Sequence, residues 1–175
     1  MQTAQVTDIQ PAMGLLEKTP FLFETLLRDL PADLLRWKPS PDRWSVSEVL
    51  AHLADIEQLY SERVHRFVEE DLPALRKYDQ ATSAGGDYSR GSAGEHLARF
   101  TATRRAIVAF LKTVPASAGA RTALHSELGS ITLSQMLNEW ASHDLGHLRQ
   151  VAELYRAHAF HLHSGPFQKY SNPKP

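Results

Sequence analysis

The sequence predicts an all-α protein, a four-helix bundle with long crossover connections. Three observations predict it. Four long segments carry apolar residues at the 3.6-residue period of an amphipathic helix. Three of those segments open on a capping box, the reciprocal pair of hydrogen bonds that starts a helix. No stretch shows convincing strand alternation.

The first helix is expected over roughly Ile9 to Leu30, with Leu15, Leu16, Phe23, Leu26, Leu27 and Leu30 apolar. Thr19-Pro20 interrupts it. Proline has no amide donor, so the helix is expected to kink or restart there with Thr19 as its cap. The second helix runs from Ser45 to about Glu69. It opens on the box Ser45-Val46-Ser47-Glu48 and carries the stripe Val46, Val49, Leu50, Leu53, Tyr60, Val64, Phe67 and Val68. The third runs from Ser92 to about Val114, behind the box Ser92-Ala93-Gly94-Glu95. The fourth runs from Thr132 to about His158, behind Thr132-Leu133-Ser134-Gln135. Between them lie a Pro-containing linker, Pro31 to Trp44, and a long loop, Asp71 to Gly91. Loops of that length usually serve as functional covers or are disordered. The 175 residues suit one domain spanning 1–175, with a tail from about 164 to 175 partly docked through its aromatics and partly frayed.

Composition narrows the function. Net charge is −1, with Lys+Arg 19 against Asp+Glu 20, so no basic field invites nucleic acid. No apolar run approaches the roughly 18 residues that span a bilayer, and the first residues lack the pattern of a secretory signal. A soluble cytoplasmic protein acting on a small molecule is the expectation. Cys is 0, which removes disulfides, thiolate-ligated zinc and a cysteine nucleophile. Any metal must use His, Asp, Glu or water.

His143 and His147 stand four residues apart on the fourth helix, so both imidazoles project from one face and can share one metal ion. With 9 His in the chain, chance supplies on the order of half such a pair, so the spacing alone is weak. Two histidines packed at a helix seam are the structural alternative. His52 flanks the apolar stripe of the second helix, and periodicity does not select it over His65 or His96. Glu139 and Gln150 lie on the same side as His143. Arg104 and Asp144 project near the centres of the apolar faces of their helices, where a lone charge is costly. They are expected to pair with each other in the core. A functional variant makes Arg104 a clamp for a substrate carboxylate. Trp44 is either a packing residue before the second helix or a wall of the site. His158, His161 and His163 read as a loose His-rich tail.

The chain resembles the DinB-like metalloenzyme family, of the DinB/YfiT-like four-helix-bundle superfamily. Arg43-Trp44-Ser45-Val46-Ser47-Glu48-Val49-Leu50-Ala51-His52-Leu53-Ala54-Asp55 looks like one block of that family, and Glu139 to Gln150, with its His-Asp-x-x-His core, looks like the other. Ser126 to Leu133 and Gly165 to Tyr170 resemble the segments before the second block and at the C-terminal end. The resemblance implies an up-down-down-up bundle, often a homodimer, and a metal held by His52, His143 and His147. It also implies metal-dependent transfer through an external low-molecular-weight thiol, as in some members.

Three neutral imidazoles leave a coordination position open, the pattern of a catalytic site. Zinc or nickel suits them, and iron is compatible. Asp55, Glu139 and Gln150 are candidates to orient a ligand imidazole. The first expectation is therefore a metal-dependent transferase using an external thiol. A metal-dependent hydrolase of an amide or ester is the second. A non-enzymatic, stress-linked metal-binding bundle is the third.

Overall fold

The computed structural model describes residues 7–79 and 88–173. Its four long helices are α1 (Gln10–Leu27), α2 (Val46–Glu69), α3 (Ala93–Leu111) and α4 (Leu133–Tyr155). The last three begin where their capping boxes place them. Ser45 Oγ accepts from the Glu48 amide while the Glu48 carboxylate accepts from the Ser45 amide at 2.8 Å. Ser92 with Glu95, and Thr132 with Gln135, repeat the arrangement. Helix α1 lacks a side-chain cap and instead has a proline in its first turn.

Of the kink or restart expected at Pro20, the restart does not occur. The helix runs through it unbroken, and Thr19 is an interior residue, not a cap. Proline leaves the carbonyl four residues earlier, on Leu16, without its helical donor. Arg104 Nη1 donates to that carbonyl at 2.9 Å. A tertiary contact thus replaces the missing backbone bond.

A small sheet is a second departure. It comprises β1 (Ala74–Leu75), β2 (Thr122–His125) and β3 (Gly129–Thr132), in that order, with β1 parallel to β2 and β2 antiparallel to β3. Strands of two to four residues are too short for alternation to stand out in a sequence. The hairpin closes through Gly129, whose φ of +73° suits only glycine readily. His125 Nδ1 accepts from the amides of Glu127 and Leu128 in the same turn. Because β3 ends on Thr132, the hairpin delivers the chain to the cap of α4.

α2 packs most extensively on α3, and α1 on α4 and α3. The core falls into two apolar clusters. One contains Leu16, Val64, Phe67, Ile107, Leu111, Leu137 and Trp140. The other contains Phe23, Leu50, Leu53, Phe100, Val151 and Leu154. α1 and α4 pass from the first cluster to the second, and α2 and α3 pass from the second to the first. The bundle is therefore up-down-down-up. Between the clusters lies a buried polar layer of Thr19, Glu57, Arg104 and Asp144, one residue from each helix.

The C-terminal segment is more ordered than its composition suggests. Arg156–Phe160 continues α4 as a wider turn, and Gly165–Tyr170 forms a further short helix. The aromatics do not dock it, since Phe167 and Tyr170 are exposed. Polar contacts do: Arg156 donates to Ser171 Oγ at 2.6 Å, and Gln168 Nε2 donates to the His161 carbonyl at 2.9 Å. His158 is not loose, for its ring packs on Trp37 with centroids 5.1 Å apart. Within the long loop, Gly85 and Gly86 lie outside the described residues, as does the end of the tail at Pro175. Among the described residues no helix is long and apolar enough to cross a membrane.

Candidate metal centre

α2 and α4 face each other at one level of the bundle and bring His52, His143 and His147 together. One ring nitrogen of each lies within 4.8 Å of the others. His143 Nε2 is 3.3 Å from His52 Nε2 and 3.2 Å from His147 Nε2. His52 is buried, and the other two are half-buried. The i,i+4 spacing accounts for the pair on α4, and His52 completes the group from across the seam.

The proton inventory shows what this cluster lacks. His147 Nδ1 lies 2.9 Å from Gln150 Oε1. An amide oxygen accepts only, so Nδ1 carries the proton and Nε2 presents a lone pair. His143 Nε2 cannot both donate to His147 and accept from His52. At least one of the two short contacts therefore has no bridging proton while the rings are neutral. Burial keeps them neutral. It pushes His52 down to about 3 and His143 down to about 4, each further lowered by His147, and it lowers His147 as well. Two nitrogens bound 2.0–2.1 Å from a tetrahedral zinc lie about 3.3 Å apart, close to both short spacings. A divalent cation thus satisfies nitrogens that their own protons cannot.

Surrounding groups orient the rings. Besides Gln150 on His147, the Tyr88 hydroxyl lies 3.5 Å from His52 Nδ1 and 2.8 Å from the Tyr78 hydroxyl. Among the described residues, His143 Nδ1 is buried without a hydrogen-bond partner. The Trp44 indole covers the group, 4.9 Å from the His52 ring and stacked 6.3 Å from that of His147. Beside it opens a cavity of roughly 780 Å³, lined in part by Trp44, His143, His147 and Gln150.

The family profile of the DinB superfamily matches residues 15–151. The chain belongs to the DinB superfamily. The span matched includes all three histidines. Among curated protein sequences none matches this chain. Among solved structures, it is similar to YfiT from Bacillus subtilis, described as "a probable metal-dependent hydrolase with an unusual four-helix bundle topology". The two are 22% identical, with a TM-score of 0.76 over 90% of this chain and 91% of that one.

Not every residue singled out from the sequence reaches the centre of this DinB protein. Gln150 does. Asp55 turns to Arg99, whose Nη2 lies 2.6 Å away, and Glu139 is exposed and hydrogen-bonds to none of the three rings. His65 pairs with Glu69, and His96 contacts the Arg90 carbonyl. Trp44 both packs on the core and walls the site.

Arg104 and Asp144 meet in the core, Nη1 to Oδ2 at 2.7 Å, and both are sealed from solvent. The reading of Arg104 as a substrate clamp needs correction. Its Nε and Nη2 donate to the two oxygens of Glu57 at 2.7 and 2.6 Å, and its ring-facing sides lie against Phe100 and Trp140. No edge of the fork is left for a substrate. Two carboxylates share this one guanidinium. Burial, reinforced by Asp144 and opposed by Arg104, pushes Glu57 up to about 7.

Glu57, Tyr78 and Tyr88 are the residues that sequence reasoning missed. Glu57 stands at the apolar-stripe position between Leu53 and Tyr60, the same signal that exposed Arg104 and Asp144. The two tyrosines sit in an irregular loop, where no periodicity marks them.

Proposed function

We propose that this DinB chain is a divalent-metal-dependent enzyme whose ion is held by His52, His143 and His147, and that it hydrolyses an ester or amide of a small molecule. The observation that carries this reading is the cluster of three neutral Nε2 atoms, short of bridging protons and opening on a cavity. A bound zinc, nickel or iron ion supplies Lewis acidity there, polarising a carbonyl and favouring the ionised form of water or thiol. The chain does the rest. Gln150 holds the Nδ1 proton of His147 and so keeps its Nε2 lone pair turned inward. The Tyr88 hydroxyl, itself hydrogen-bonded to that of Tyr78, lies against His52 Nδ1 and steadies that ring. Burial keeps all three rings unprotonated at neutral pH, and Trp44 shields them from bulk water. The description of the structurally similar YfiT supports hydrolysis.

Transfer through an external low-molecular-weight thiol is the second reading. The cavity has room for more than water, and a chain without cysteine has no thiol of its own to compete.

Elemental analysis of untagged wild type and of His52→Ala, His143→Ala and His147→Ala tests the metal site. About one divalent ion per chain, lost in each variant, is expected on the ligand geometry. Retention in all three returns these residues to seam histidines. Turnover of a panel of ester and amide probes, with and without added thiol, then separates the chemistries. Hydrolysis without thiol supports the first reading, and strict thiol dependence replaces it with the second. Metal without either turnover leaves a metal-binding bundle.

A further inference from the structure

Two neighbouring rows of residues run along one flank of α4. His143, His147 and Gln150 form one row. Gly146, Arg149 and Glu153 form the other, at the three- and four-residue spacings that share a helix face. Both rows line the cavity beside the triad, and Asp42, Arg43 and Trp44 line it from the linker before α2.

Gly146 is informative because nothing in the packing demands it. Glycine is unfavourable in a helix interior. A Cβ added at Gly146 would meet nothing within 4 Å, so its missing side chain leaves open floor in the cavity. Arg149 stands one turn further along. It has no ion pair or hydrogen bond among the described residues, whereas the carboxylates near it are engaged. Glu153 is 2.5 Å from Arg156, and Asp42 accepts from Ser40 Oγ at 2.6 Å. The cavity therefore combines bare floor, the half-buried Trp44 indole, two of the three clustered imidazoles and one cation without a counter-charge.

We propose that this cavity binds a small molecule carrying a carboxylate, with the Arg149 fork on the carboxylate and the opposite end of the molecule at the triad. The inference rests on the metal-centre reading. A guanidinium matches a carboxylate in shape as well as charge, which a lone ammonium does not. Trp44 offers an apolar face to the middle of the ligand. The volume falls within the range of small-molecule sites.

The test uses zinc-loaded protein, with zinc content verified by elemental analysis. Mercaptopropionate and the longer mercaptohexanoate are titrated by calorimetry against their uncharged amides, so that each pair shares a thiol end and differs only at the tail. For at least one chain length the acid is expected to bind about tenfold tighter than the amide. Arg149→Gln is expected to erase that preference while leaving zinc content and the unfolding midpoint unchanged. The subsite is overturned if acid and amide bind alike to wild type at both lengths, if the preference survives in Arg149→Gln, or if loaded protein binds none of the probes. Protein that takes up no zinc overturns the metal-centre reading, and the subsite with it. The zinc analysis tells these failures apart.

Discussion

Two polar clusters sit a few residues apart in this bundle, and they solve opposite problems. Consecutive residues of α4 belong to each: His143 faces the triad and Asp144 faces the buried layer. In the layer, Arg104 is fully enclosed and its donors go to Glu57, Asp144, Thr19 and the Leu16 carbonyl. In the triad, three lone-pair-bearing rings crowd together with too few protons, one of them with a buried nitrogen that has no partner among the described residues. Protein interiors pair their buried polar groups. A cluster that meets the rule reads as architecture, and a neighbouring cluster that fails it fits the metal site proposed above. Charge alone does not separate them, since the charged cluster is the structural one.

Breaking the satisfied cluster has the largest expected effect. Arg104→Met strands two carboxylates in the core and is expected to cost about 3–5 kcal/mol in denaturant unfolding. A cycle with Asp144→Leu sharpens the point: the double mutant should lose less than the sum of the single losses, by about 0.5–3 kcal/mol. Additive losses would mean the pair is not coupled. The triad should behave the other way. Chelation should leave the bundle folded, and zinc at a hundred times its dissociation constant should add about 2.7 kcal/mol, read as a raised melting temperature. Unfolding on chelation would make the site a folding element instead.

Groups that orient the ligands come next. Gln150→Ala is expected to weaken zinc affinity about 10–100-fold, measured by competition with a chelator. Tyr88→Phe should do less, because its contact with His52 is long. The pH response of chelated protein follows from the lowered histidines. Between about 3 and the ordinary value of 6.5, the unfolded chain binds more protons at these rings than the folded chain. Their contribution therefore lowers stability as pH falls below 6.5. His52→Ala melted at pH 7.5 and at pH 5 should lose less between the two than wild type does. A steeper loss in the variant would contradict the burial argument. The smallest effect is at Gly146→Ala, expected to stabilise the helix by up to about 1 kcal/mol with zinc content unchanged.

The same contrast explains what could be read from the sequence. The helices were legible because capping boxes and apolar stripes are local, and Ser45, Ser92 and Thr132 cap where expected. Arg104 and Asp144 were legible because a charge on an apolar face has to find a partner. Glu57 carried that signal too, but its stripe reads as apolar without it. The triad was legible as a pair from spacing and as a trio only through family resemblance, because His52 flanks its stripe as many solvated histidines do. Tyr78, Tyr88 and the hairpin were not legible. Loop tyrosines and two-to-four-residue strands obey no period, and their place is set by tertiary contacts. The restart expected at Pro20 fails for a related reason. The rule for a proline inside a helix counts the local bond it removes, not a guanidinium arriving from another helix.

That proline has a consequence for how the bundle tolerates sequence change. The acceptor it frees is a backbone carbonyl, an atom that every amino acid supplies at position 16. Substituting the Leu16 side chain alters the packing but leaves the oxygen in place. Of the two contacts that Arg104 makes with α1, this one therefore depends on whether one amide is missing four residues on. Pro20→Ala would restore that amide and make it compete with Arg104 for the same oxygen. One of the two links between α1 and the centre of the bundle thus depends on position 20 and not on the side chain at position 16, while the other runs through the Thr19 hydroxyl.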